Sequence, residues 1–135
     1  VVKLLLADKR VDPSADNNYA IKRASKNGRV EVVKLLLADK RVDPSADNNY
    51  AIRLASENVR VEVVKLLLAD KRVDPSADNN YAIRMASANG HVEVVKLLLA
   101  DKRVDPSSDD NYAIRMALKN NHKKVTELLF KYFLS

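Results

Sequence analysis

His91 and His122 are the only histidines in the chain, and cysteine is absent. Paired imidazoles can hold a metal or share acid–base work, provided that they converge on one point. These two lie one repeat apart at equivalent positions, so they are translated along the molecule rather than turned toward each other. A structural or surface role is expected for both, and no metal site. Serines recur as Ser14, Ser25 and their copies, but the first two complete units contain no histidine to act as their base. Asp78-Asn79-Asn80 resembles part of a calcium loop that lacks its glycine and its distal glutamate. Gly28 and Gly90 are the only glycines, too few for a phosphate-cradling loop. Without cysteine there is no disulfide framework, thiolate zinc site or thiol nucleophile. These residues predict a protein that is not an enzyme and uses no cofactor or metal.

The elements that carry them form a repeat. VVKLLLADKRVDPSADNNYAI begins at Val1, Val32 and Val63, and returns from Val94 with two changes. The period is 31, and any two of the first three copies differ at four positions. Each copy predicts two short helices and a turn. Val94, Val95, Leu97, Leu98 and Leu99 fill most of a helical circumference, as in a helix held between neighbours, and Glu93 suits the positive end of its dipole. The other helix is expected over roughly Asn80 to Asn89, with Asp78, Asn79 and Asn80 as alternative caps. Between them lies DKRVDPSADN, where Pro75 forbids a central strand and predicts a turn or hairpin. Asn27-Gly28 and Asn89-Gly90 predict a left-handed residue ending the first helix. One such pair cannot bury its apolar face alone, whereas stacked copies can.

Charge and composition exclude further classes. The chain of 135 residues carries a formal charge of +6. Residues 1–31 hold seven basic and four acidic side chains, and residues 94–135 hold eight and five, while the middle copies balance. A surplus of +3 at each end is not the continuous basic stripe that tracks a nucleic-acid backbone, so no specific nucleic-acid partner is expected. No apolar run reaches the roughly 18 residues of a membrane span, and the opening residues do not read as a signal peptide. A monomer is expected, and the absence of cysteine fits a reducing compartment such as the cytoplasm and an engineered chain equally. Val1 in place of Met suggests residues upstream.

The repeat resembles the ankyrin family. Tyr81-Ala82-Ile83-Arg84-Met85-Ala86 stands at that family's T-P-L-H-x-A signature, and Asn89-Gly90-His91-Val92-Glu93-Val94-Val95-Lys96-Leu97-Leu98-Leu99 follows its G-H-x-E-V-V-x-L-L-L run. Against the usual repeat of about 33 residues, both missing residues fall in the turn. The resemblance implies an all-α ankyrin-repeat solenoid of stacked helix pairs joined by short turns or hairpins, as a single domain over 1–135. Residues 1–10 would be the second helix of a truncated repeat, 11–41, 42–72 and 73–103 full repeats, and 104–135 a C-terminal cap. In the cap Val95 becomes Thr126, and Lys123 and Lys124 replace Val92 and Glu93.

By the same resemblance the function is recognition of another protein. The partner would meet a concave face at Ala46, Asp47, Asn49, Glu57 and Asn58 in one unit and Ala77, Asp78, Asn80, Ala88 and Asn89 in the next. The tyrosines Tyr19, Tyr50, Tyr81 and Tyr112 are expected to pack between units with their hydroxyls bonded to turns. Arg53, Arg84 and Arg115 are expected to donate to turn carbonyls or to the ladder Asp43, Asp74 and Asp105. The near-identity of the copies also fits an engineered or averaged sequence with no native partner, or recent duplication.

Overall fold

The computed structural model describes all of residues 1–135, and its only regular elements are α-helices. A lone helix, α1 (Val2–Ala7), precedes four pairs. These are α2 (Ala15–Lys26) with α3 (Val30–Ala38), α4 (Ala46–Glu57) with α5 (Val61–Ala69), α6 (Ala77–Ala88) with α7 (Val92–Leu99), and α8 (Ser108–Lys119) with α9 (Lys123–Leu134). The even-numbered helices stack in one column and α1, α3, α5, α7 and α9 in the other. No strand interrupts them; the segments around Pro13, Pro44, Pro75 and Pro106 are turns, with each proline ring buried.

One continuous core runs between the columns. Ile21, Ile52 and Ile83 are fully buried, as are Val33, Val64 and Val95 at the matching positions of the other column. Each such side chain contributes about 1.5–3 kcal/mol by leaving water. The first helix buries none of its residues, and its Leu5 is half exposed where the equivalent Leu36, Leu67 and Leu98 are buried.

The start of each even-numbered helix differs from the predicted caps. Asp78, Asn79 and Asn80 all take positive φ, at 57, 55 and 59°, and the three other copies do the same. Together they form one left-handed turn, and the regular helix begins at Tyr81. None acts as a side-chain cap. Left-handed backbone costs most residues roughly 1–2 kcal/mol, and aspartate and asparagine are the non-glycine residues that adopt it most readily. The turn swings every third residue inward. Asn18, Asn49 and Asn80 are thereby buried, and their Oδ1 atoms accept the backbone N–H groups of Asp43, Asp74 and Asp105 at 2.7, 2.8 and 2.8 Å.

The other helix end follows the expected left-handed geometry, with Gly28 at φ 72° and Gly90 at φ 75°. Val59 occupies the same place at φ 60° and is half exposed. A β-branched residue there carries strain of roughly 1–2 kcal/mol, and glycine loses about 0.5–1 kcal/mol in chain entropy. Val59→Gly is therefore expected to raise the denaturation midpoint slightly; a lowered midpoint would mean that the valine side chain packs more usefully than the strain costs.

Ser25, Ser56 and Ser87 are fully buried, and their hydroxyls find no hydrogen-bond partner. Leaving a buried hydroxyl unmatched costs about 1–3 kcal/mol, whereas alanine at the same position needs no partner. Ser56→Ala should leave thermal stability unchanged or raise it, and a loss above about 1 kcal/mol would show that the hydroxyl is satisfied in solution.

Candidate functional site

Along the edge where the left-handed turns meet the helices runs an alternating ladder of rings and cations. The Arg53 guanidinium lies between the rings of Tyr50 and Tyr81, 5.5 and 5.3 Å from their centroids. Arg84 lies likewise between Tyr81 and Tyr112, at 5.7 and 5.5 Å. Lys22 replaces the arginine in the first unit, 5.6 Å from Tyr50. Each arginine also reaches back into its own repeat: Arg84 donates to the carbonyls of Asn79 and Asp78 at 2.9 and 3.2 Å. These carbonyls belong to the left-handed turn, so the arginine holds that turn in shape.

The predicted donation to turn carbonyls is what the side chains make, but the carboxylate partners differ from those expected. Arg53 pairs with Asp78 at 3.5 Å, Arg84 with Asp109 at 3.7 Å, and Lys22 with Asp47 at 3.6 Å. Asp43, Asp74 and Asp105 instead accept the hydroxyl and backbone N–H of the serine two residues on. The tyrosine hydroxyls also depart from expectation. Tyr81 donates to the Glu57 carboxylate of the preceding unit, and Tyr19 accepts from Arg23. Burial, then the bond to Glu57, pushes the Tyr81 phenol up to about 12.

Two further ladders fasten one unit to the next. The guanidinium of Arg72 forks onto Asp70 and donates to the carbonyl of Val42 at 2.8 Å, as Arg41 does to Val11 and Arg103 to Val73. The bond from Arg41 holds the Asp39 carboxyl down at about 2, and Asp70 and Asp101 are lowered by the same cause. At the far helix ends, Arg60 donates to the Lys26 carbonyl and the ring Nε2 of His91 lies 2.9 Å from that of Glu57. Each thus satisfies a helix C-terminus of its neighbour. His122 packs where a Cβ on Gly90 would stand. The histidines are therefore parts of the stack, and no three metal-ligating side chains gather anywhere. No helix is long and apolar enough to cross a membrane.

The structure divides the ten residues expected on the contact face. Asp47, Asp78 and Asn89 are exposed, and Glu57 and Asn58 are half-buried. Asn58 spends its amide on the Leu54 carbonyl. Ala46, Ala77 and Ala88 are buried, and so are Asn49 and Asn80, whose side chains are committed to the next unit's turn. Those five are largely turned away from solvent. In their place the left-handed turn exposes Asn48 and Asn79, which the sequence reading passed over. The exposed surface is a row of Asp-Asn pairs, 16–17, 47–48 and 78–79, ended by Asp109-Asp110 and backed by the tyrosine–arginine ladder. Between Tyr19 and Tyr50 this edge opens into a shallow hollow of about 270 Å³ lined by Lys22, Arg23, Lys26 and Asp47.

No curated protein sequence matches the chain. A family model described as ankyrin repeats (3 copies) matches it over residues 1–79 and again over 52–134. With paired helices stacked in two columns through the same residues, the chain belongs to the ankyrin-repeat family.

Proposed function

We propose that this chain is a protein-binding scaffold whose contact face is the row Asp47, Asn48, Asp78 and Asn79, with Glu57, Asn58 and Asn89 at its margin. Ankyrin repeats typically bind proteins, and the family is in general not catalytic. The observation that carries the reading is the separation of labour at the left-handed turn. Its third residue is buried to lock the stack, while its first two are exposed on a backbone held by arginine. A rigid, pre-ordered polar face loses little entropy on binding.

Exchanging the acids and amides tests this: Asp47→Asn, Asn48→Asp, Asp78→Asn and Asn79→Asp together. Net charge is unchanged, Asp110 at the equivalent of Asn48 and Asn79 shows that the second position takes either residue, and a melting curve checks that losing the Lys22–Asp47 and Arg53–Asp78 pairs leaves the stack folded. A specific partner captured by the parent chain should be lost. Capture that survives the exchange but disappears at high salt is steering by net charge alone, and rules the face out.

One observation favours a second reading. The exposed Asp-Asn pairs are identical in the first three units, whereas a face adapted to one partner would vary from unit to unit. An engineered or averaged sequence without a native partner fits this, and predicts only salt-sensitive acidic contaminants at the +3 ends.

A further inference from the structure

The Asp-Asn pairs repeat from unit to unit, and the variation of the chain lies beside them. Residues 1–31, 32–62 and 63–93 differ only at Lys22, Arg23, Lys26, Gly28 and Arg29 and their equivalents. Several of these positions serve the stack. Arg60 and His91 each meet a carbonyl of the preceding unit, and Lys22, Arg53 and Arg84 each lie on the ring of the tyrosine that follows. The remaining changes are in size and charge, along Arg23, Leu54 and Met85 and along Lys26, Glu57 and Ala88. Three residues apart on one helix, the two ladders share a face.

That face borders the grooves between consecutive even-numbered helices. In the first groove, between α2 and α4, Lys22, Arg23 and Lys26 line the hollow of about 270 Å³ and face the single carboxylate of Asp47. Lys26 is exposed and pairs with no carboxylate. In the second, between α4 and α6, Glu57 takes the place of Lys26 and accepts the Tyr81 hydroxyl, so Glu57 and Asp78 both face Arg53. In the third, between α6 and α8, Arg84 and Asp109 balance, and the position holds Ala88, buried near half-buried Met85. Cationic, acidic and apolar grooves thus follow one another. Each is walled by two consecutive helices of the chain, so their order does not depend on what adjoins the stack.

Packed neighbouring helices lie about 8–10 Å apart. A polyproline II segment has three residues per turn and rises about 3.1 Å per residue, so it presents the same face again after about 9 Å. We propose that the three grooves read the order of side chains along an extended segment of a partner protein. A carboxylate lies against Lys26, a cation three residues on lies against Glu57, and an apolar side chain three residues further covers Met85. The inference rests on the protein-recognition reading for the class of partner and adds the chemistry that partner must carry. Exchanging the two charges of the segment would set like against like in both of the first two grooves.

Two end-capped peptides of equal composition test the order, Glu-Pro-Pro-Lys-Pro-Pro-Leu and Lys-Pro-Pro-Glu-Pro-Pro-Leu, each titrated into the full chain labelled with ¹⁵N. The first should give saturable shifts at Lys26, Glu57 and Met85 and bind about fivefold more tightly than the second. Lys26→Glu together with Glu57→Lys keeps the net charge and puts at each position a residue that another unit already holds there. This pair should invert the preference, and a melting curve confirms that the variant is folded. Lys26→Glu alone leaves the bond between Glu57 and Tyr81 in place and should erase the preference. Equal binding of the two peptides by the parent chain, a preference that the exchange leaves unchanged, or absence of shifts along this edge would overturn the proposal. Because the acid–amide exchange of the Asp-Asn row leaves Lys26, Glu57 and Met85 in place, either reading can fail while the other stands.

Discussion

Asn49→Ala is expected to cost about 2–5 kcal/mol, although it removes only one small polar side chain. Two losses combine. The Asp74 N–H, now bonded to Asn49 Oδ1 at 2.8 Å, is left without an acceptor in a part-buried site, a penalty of about 1–3 kcal/mol. Alanine must also take φ near 60°, which asparagine tolerates far better, at roughly 1–2 kcal/mol. The neighbour separates the two. Asn48 has nearly the same backbone, φ 54°, but is exposed and its side chain accepts nothing, so Asn48→Ala should show the strain alone. Asn49→Gly should show the converse, losing the acceptor while relieving the strain. Denaturant midpoints at constant slope measure all three. If Asn49→Ala and Asn48→Ala cost the same, the bond to Asp74 contributes nothing.

The repeat, its two helices and the left-handed Gly28 and Gly90 were legible because each is a local pattern: apolar spacing for the helices, one glycine for the turn. The run Asp78-Asn79-Asn80 was not, since aspartate and asparagine favour both helix caps and isolated left-handed residues. Three left-handed residues in succession are stabilised by Arg84, five and six residues on, and by the neighbouring unit. That turn decides which side chains face outward, so of the contact face expected from family position Asp47, Asp78 and Asn89 are exposed while Asn49 and Asn80 are buried. The arginine ladder was half legible for a related reason. Its carbonyl acceptors lie within one unit, whereas Asp78 reaches Arg53 from 25 residues away through the rise of the stack. The sequence offers Asp74 and Asp78 equally, and only the placement of Ser76, which occupies Asp74, leaves Asp78 for the arginine.

That ladder carries the other large expectation. Arg84 is 14% exposed, donates to two carbonyls of its own turn, lies between two rings and pairs with Asp109 of the next unit. Arg84→Ala should cost about 2–3 kcal/mol, from charged hydrogen bonds and two cation–ring contacts. Arg115 is its natural control, with the same two carbonyl bonds and one ring but no carboxylate paired to it. Arg115→Ala should cost only about 1 kcal/mol, and the difference between the two variants is the coupling that Arg84 provides between adjacent units. Lysine already stands at this position in the first unit, where Lys22 reaches Asp47 and the Tyr50 ring without bonding a turn carbonyl. Arg84→Lys should therefore keep much of the coupling and lose the hold on the left-handed turn. In a stack stabilised by nearest-neighbour interfaces, weakening one also loosens cooperativity. Arg84→Ala should accordingly lower the denaturant slope as well as the midpoint, while Arg115→Ala lowers the midpoint alone. Equal midpoints and equal slopes for the two variants would place the whole effect of Arg84 within its own repeat.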